Sequence, residues 1–293
     1  MRGTQHRPPS GSQFVLVSGE YRAVVVEVGA GIRVLTRGNR AVLDPYEEDS
    51  VCDGAHGAVL VPWPNRVLGG RYRVATSEFQ LDLTEPSAGN AIHGLVRWRP
   101  FTLEHARTNE VVLATRIPPT PGYPFDLAVT VHYQLRDAGL VVRTIVENEG
   151  SESAPVAIGH HPYLSPGAGS IDGAWLQVPS ALSEDRELAD VGSGIALAGR
   201  RLDHTIRLDL LGADRAWALL TGVDGAVAAL WAAPPYRYLQ LFSGDTLASE
   251  RRRCGLAVEP MTAPPNALAT GNDIWQLTAG EGLEATWGAQ LRP

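Results

Sequence analysis

The sequence predicts an all-β fold, a large antiparallel β-sandwich. Three observations predict it: period-two runs of apolar and polar residues, turn residues that separate them, and a near absence of helical periodicity. The stretches 21–28 (YRAVVVEV), 125–135 (FDLAVTVHYQL), 140–147 (LVVRTIVE) and 215–220 (RAWALL) carry the alternating or β-branched pattern. Such a pattern puts successive side chains on opposite faces of a strand. The 31 Gly and 21 Pro residues, with Asn and Asp, punctuate these runs.

Taken in order along the chain, residues 1–13 are polar, with Arg2, Arg7, Pro8 and Pro9, and are expected to form a flexible N-terminal segment. They lack the apolar core of a signal peptide. Residues 14–293 are expected to form a single domain, because no Pro/Ser-rich linker, charge block or solenoid-length repeat divides them. The runs at 125–135 and 140–147 flank Arg136-Asp137-Ala138-Gly139, and those at 215–220 and 226–231 flank Gly222-Val223-Asp224-Gly225. Both read as hairpins. Helix is confined, at most, to a short turn within 183–191.

At 293 residues the chain can bury a large core. Hydrophobic residues make up 44% and charged residues 19%, and the formal net charge is −7. That charge argues against nucleic acid or an anionic membrane surface as partner, and no stretch is long and apolar enough to span a bilayer. A cytoplasmic location, as monomer or homodimer, is the expectation. All 25 basic residues are Arg. Without Lys, Schiff-base catalysis, a pyridoxal-phosphate lysine and a P-loop lysine are excluded together. Cys52 and Cys254 stand far apart without metal-ligand or redox spacing.

The residues with chemistry to offer are few. Glu259 follows Gly255-Leu256-Ala257-Val258 and precedes Pro260, which predicts a strand end. It reads either as a solvated carboxylate, as most Glu are, or as a proton acceptor held in a partly dry place by Pro260, Pro264 and Pro265. His160 and His161 are adjacent, so on a strand they face opposite sides and at most one serves a given site; each also reads as a structural histidine. His93 lies in a Gly-containing turn. Asn65 and Arg66 follow the stiff segment Val61-Pro62-Trp63-Pro64, in which prolines fix the backbone and could aim both side chains at hydroxyls. Asp203 and Gln240 are polar positions beside strands. A metal held by His93, His160 or His161 and Glu259 ranks behind metal-free chemistry, since no His-x-His or His-x-x-x-His spacing is present.

Taken in order, Pro-Trp-Pro-Asn-Arg (62–66), Asn-Ala-Ile-His-Gly (90–94), Gly-His-His-Pro-Tyr (159–163), Leu-Asp-His (202–204), Leu-Gln-Leu-Phe-Ser-Gly (239–244) and Val-Glu-Pro (258–260) resemble the aldose 1-epimerase (galactose mutarotase) family. The resemblance runs over most of the chain and implies the family's antiparallel β-sandwich. It also implies a catalytic pair: Glu259 takes the proton of the anomeric hydroxyl and His161 protonates the ring oxygen. His93 is then placed near the ring oxygen, and Asn65, Arg66, Asp203 and Gln240 hold sugar hydroxyls. No cofactor and no metal are implied. His160 stands where the best-known members carry Asn, which bears on sugar preference. The implied activity is interconversion of the α and β anomers of a free aldohexose such as glucose or galactose. A hexose-phosphate mutarotase, with Arg66, Arg71, Arg73 or Arg97 on the phosphate, and a non-catalytic sugar-binding module are the alternatives.

Overall fold

The computed structural model describes residues 7–182, 188–210 and 212–292. Part of the 183–191 segment read as a turn of helix, residues 183–187, lies outside the described residues. The regular structure in the rest is almost all antiparallel strand, as expected.

Two large sheets face each other. The first has 11 strands, in the order Gln13–Ser18, Tyr21–Val26, Ile32–Arg37, Arg40–Leu43, Tyr163–Leu164, Leu256–Met261, Tyr238–Phe242, Asp203–Leu208 and Ala181–Leu182, with Gly159–His160 and Val59–Leu60 joining beside Leu256–Met261. The second has 9, in the order Thr102–Arg107, Glu110–Ile117, Leu127–Arg136, Gly139–Asn148, Gly282–Arg292, Val227–Ala232, Ala216–Thr221, Trp175–Gln177 and Ile195–Ala196. Among the described residues, helix is limited to Ala267–Thr270, a 3₁₀ turn at Ile171–Gly173 and 3₁₀ geometry at Leu188, within the 183–191 segment. No helix there is long and apolar enough to cross a membrane.

Both predicted hairpins form. Leu127–Arg136 pairs with Gly139–Asn148, closing at Arg136↔Gly139, and Ala216–Thr221 pairs with Val227–Ala232. The alternation works as expected: Leu127, Val129, Val131, Tyr133 and Leu135 are all buried, while the intervening residues are only partly covered. One face of this sheet therefore makes the core and the other meets solvent.

Core side chains of the two sheets form one contiguous apolar cluster that includes Leu16, Val25, Leu35, Val131, Val142, Leu241, Val258 and Trp287. Each large apolar side chain so buried contributes about 1.5–3 kcal/mol. Polar ties cross the same gap. The Tyr133 hydroxyl donates to the Ala30 carbonyl at 2.6 Å, and His160 Nε2 lies 2.8 Å from Thr144 Oγ1, with its ring 5.3 Å from that of Trp287. His160 is thus a core histidine, and its neighbour His161 turns the other way, as adjacent strand residues must. Within the N-terminal segment, Ser10 and Ser12 carbonyls accept the Val28 and Glu27 amides, and Arg7 pairs with Glu27 at 2.7 Å.

One loop position shows how tightly the site-bearing segments are held. Gly94, after His93, has φ +68°, and a Cβ there would lie 2.2 Å from the Val61 carbonyl oxygen, which already accepts the Leu95 amide at 2.7 Å. Only glycine combines that backbone angle with so close an approach. Gly94→Ala is expected to destabilise the protein by more than about 1 kcal/mol, read as a fall in Tm. An unchanged Tm would show that the contact between the 61–66 and 90–95 segments is looser than described.

Candidate active site

A single row of side chains across the first sheet makes the site. Leu256 and Val258 join the apolar core, so Glu259, one residue on, faces outward from it. Register puts Gln240 directly opposite Glu259 and Thr205 opposite Gln240. On Glu259's other side, Gly159 pairs with Met261 and Tyr163 with Ala257. The same register carried inward sets His161 opposite Glu259. Pro162, which has no N–H, marks the break in this pairing, and its carbonyl accepts the Val258 amide at 3.0 Å. His161, Glu259, Gln240 and Thr205 therefore stand side by side on one face.

The sequence reading placed Glu259 at a strand end; the structure corrects this. It lies inside Leu256–Met261, a strand buried at every residue, and is only 2% exposed. Pro260 lies within the strand, opposite Leu239, and loops cover the face that a sheet otherwise shows to water. The reading of a solvated carboxylate fails on that exposure.

Those loops bring in the remaining residues. Arg66–Leu68 pairs with Asn90–Ile92, so the two peptides at 62–66 and 90–94 arrive together. Asn65 and His93 both adopt positive φ, 55° and 63°. The His93 amide donates to the Asn65 carbonyl at 3.0 Å, and the Asn65 amide donates to His93 Nδ1 at 3.3 Å. An Nδ1 that accepts leaves the ring hydrogen on Nε2. Asn65 Oδ1 accepts the Arg66 amide at 2.8 Å. The Arg66 fork is taken by Glu85, with Nε to Oε2 at 2.9 Å and the second amine to Oε1 at 3.0 Å. Its remaining nitrogen faces Asp203 Oδ2 at 3.8 Å. Gln240 Nε2 donates to Asp203 Oδ1 at 2.6 Å and Thr205 Oγ1 donates to Gln240 Oε1.

Glu259 Oε1 and His161 Nε2 are 3.2 Å apart, both residues buried. Glu259 Oε2 and His161 Nδ1 have no hydrogen-bond partner among the described residues. Buried polar atoms of this kind are rare in a finished fold and mark places where a ligand completes the bonding. Burial, and then Asp203 nearby, push the Glu259 carboxyl well above its ordinary range, against the pull of Arg66. Burial, and then the His56 ring's charge, lower His161 to about 3. Burial also holds His93 well below its ordinary value, with the His161 charge adding to the effect. Burial thus disfavours charge on both members of the 3.2 Å pair.

All seven residues singled out in the sequence (Asn65, Arg66, His93, His161, Asp203, Gln240 and Glu259) line one cavity of about 740 Å³. Several of its parts had escaped the sequence reading. Glu85 orients Arg66, Thr205 orients Gln240, and Tyr163 stacks between His56 (3.7 Å, 4°) and His161 (5.1 Å, 20°). Two of these carried a usable signal: Thr205 and Tyr163 sit two residues from Asp203 and His161, hence on the same strand face. Glu85 and His56 carried none.

His93, His161 and Glu259 each offer a ligand atom, all within 4.8 Å of one another. The chemistry of this set suits a divalent metal poorly. His93 Nε2 bears the hydrogen while Nδ1 accepts the Asn65 amide, so ligation would leave that amide unpaired.

The chain belongs to the aldose 1-epimerase family, a family of isomerases, whose profile matches residues 12–287. Over 287 residues it is 33% identical to the protein YihR of Escherichia coli K12, covering 93% of this chain and 91% of that one. An aldose epimerase homologue from C. elegans superposes with a TM-score of 0.83 at 13% identity, over 96% of this chain and 98% of that one. A galactose 1-epimerase from Lactobacillus acidophilus gives 0.76 at 17% identity, over 94% and 92%. At such identities these two show the shared fold.

A buried carboxyl with a raised pKa has a cost that grows with pH. Between the ordinary carboxyl value of 4.5 and Glu259's raised one, the folded chain keeps a proton that the unfolded chain has lost, so stability falls as pH rises through that window. Glu259→Gln is expected to remove this dependence: its Tm advantage over the wild type should widen with rising pH. A Tm difference independent of pH would overturn the raised value.

Proposed function

We propose that this protein is an aldose 1-epimerase interconverting the anomers of an aldohexose by proton exchange at Glu259 and His161, without metal or cofactor. The observation that carries this reading is the buried 3.2 Å Glu259–His161 pair at a cavity lined by hydrogen-bonding side chains. In the acting tautomer the proton sits on His161. The Glu259 carboxylate takes the proton of the C1 hydroxyl, and the electron pair left on that oxygen forms the C1 carbonyl. The bond from C1 to the ring oxygen breaks, and the ring oxygen receives the His161 proton. Rotation about C1–C2 presents the other carbonyl face, and the reverse transfers close the ring as the opposite anomer. The two groups run forward and backward without net change, so no electron acceptor or group carrier is required.

His93, with hydrogen on Nε2, is a neutral donor suited to the ring oxygen region, its ring 5.1 Å from that of His161. Asn65, Arg66, Asp203 and Gln240 supply donors and acceptors for hydroxyls, each aimed by a neighbour: Arg66 by Glu85, Gln240 by Thr205 and Asp203. Donors held before substrate arrives need no reorganisation during the reaction.

Polarimetry of freshly dissolved α-D-glucose and α-D-galactose, with the uncatalysed rate subtracted, tests the reading. Acceleration is expected to survive chelator, and Glu259→Gln and His161→Gln are each expected to lower kcat by about 10²–10⁴-fold. Full activity in either variant would remove that residue from the mechanism, and loss of activity with chelator would restore the metal.

The pH profile offers a second check. The active pair holds one proton, so kcat/KM should fall in acid as a second proton binds and in alkali as the shared proton leaves. With His161 lowered to about 3 and Glu259 raised, the acid limb lies well below the ordinary histidine value. An acid limb near 6.5, the unperturbed histidine value, is the result that contradicts the burial of the pair.

A further inference from the structure

Among the described residues, Arg97 is a half-buried cation without a hydrogen-bonded or ion-paired anion. Most other half-buried arginines hold carboxylate or carbonyl acceptors: Arg33 on Gln13 and Tyr46, Arg40 on Asp224, Arg66 on Glu85, Arg99 on Leu95, Arg251 on Asp44 and Arg253 on Asp172 and Asp245. Among the described residues the Arg97 guanidinium makes no hydrogen bond and no ion pair; it rests 5.2 Å over the Trp98 ring. Removing a cation from water without a partner is costly, and burial lowers the Arg97 pKa accordingly. The groups near it do not neutralise it. Cys52 is pushed up to about 12 by burial and stays a thiol. Glu85 is engaged by Arg66 and Asn90, and Asp53 by His56 and Arg251.

Its place in the fold is equally informative. Arg97 lines the main cavity, and it also lines a second one of about 250 Å³. The two cavities share Val51, Cys52, Arg97 and Trp98, so the cation stands at their junction. Arg97 lies four residues after His93 in the loop that covers the pair and lines the same cavity as His93 and His161, which puts it on the histidine side. In a pyranose the exocyclic carbon is bonded to C5, next to the ring oxygen. If His161 serves the ring oxygen and Glu259 the C1 hydroxyl, a substituent on C6 extends past the histidines toward Arg97. Of the other arginines considered for an anion, Arg71 is exposed and pairs with Glu78, Arg73 is exposed, and Arg66 is held by Glu85.

We infer that the site takes an aldohexose bearing an anionic group at C6, with Arg97 as its counter-ion at the junction of the two cavities. The inference rests on the epimerase reading and specifies its substrate class. Phosphate, sulfate and carboxylate share the chemistry; guanidinium offers all three paired donors in a plane.

Anomerisation rates of D-glucose, D-glucose 6-phosphate, D-glucose 6-sulfate and D-glucuronate, measured by NMR exchange on the full chain, decide the matter. At least one anionic sugar is expected to exceed glucose in kcat/KM by about 10- to 100-fold, the value of a charge-assisted hydrogen bond. Which one leads identifies the anion. Arg97→Gln should collapse that ratio, Arg97→Lys should restore part of it, and added salt should reduce it in the wild type. Glucose turnover without preference for any anionic sugar overturns the inference and leaves the epimerase reading standing. Equal loss on neutral and anionic sugars in Arg97→Gln, unrepaired by Arg97→Lys, assigns the residue to structure instead. Acceleration of none of the four sugars overturns the epimerase reading itself.

Discussion

Everything at this site depends on strand register. Gln240 opposite Glu259, and the Gly159–Met261 and Tyr163–Ala257 pairs on the other flank, leave His161 no position except beside the carboxyl. Side-chain direction has a period of two, so a slip of one residue would send Glu259 into the core and Val258 into the cavity. The apolar cluster containing Leu256, Val258, Leu239 and Leu241 forbids that slip. The core therefore enforces the geometry of the site, and the Glu259–His161 contact is a by-product of ordinary packing.

The same burial that aligns the pair also tunes it. An exposed glutamate and an exposed histidine would ionise separately, one below and one near neutrality. Held dry at 3.2 Å, each is pushed by burial toward its neutral form. Raised Glu259 and lowered His161 are two views of one fact, that charge separated in this place is expensive until a polar substrate stabilises it. Functional sites commonly carry such destabilised groups, with the surrounding core offsetting them. Here the covering loops are pinned by specific contacts, the Asn65–His93 exchange of hydrogen bonds and the close approach of Gly94 to Val61.

Around that centre the cavity is graded. One wall is a hydrogen-bonded lattice in which Thr205, Gln240, Asp203, Arg66 and Glu85 satisfy one another. Such a network reads hydroxyls and resists change, because each member fixes the next. The other end holds Arg97, Trp98 and Cys52, and among the described residues the Arg97 guanidinium has no hydrogen bond or ion pair.

By itself the sequence determined the all-β class, the hairpins at 136–139 and 222–225, and the set of seven side chains that line the main cavity. Alternation and turn chemistry are local, and the site peptides are short and contiguous, so both are legible in one dimension. The depth of Glu259 was not. Pro260 reads as a strand stop, and only the loops arriving from 62–66 and 90–94 make that strand a covered, central one. Tertiary structure alone decided that His160 packs into the core against Thr144, that Glu85 occupies the Arg66 fork, and that Arg97 has no hydrogen-bond or ion-pair partner among the described residues. Each is a matter of contacts between residues distant along the chain. The sequence lists the groups, but pairing and desolvation exist only once the sheets have closed.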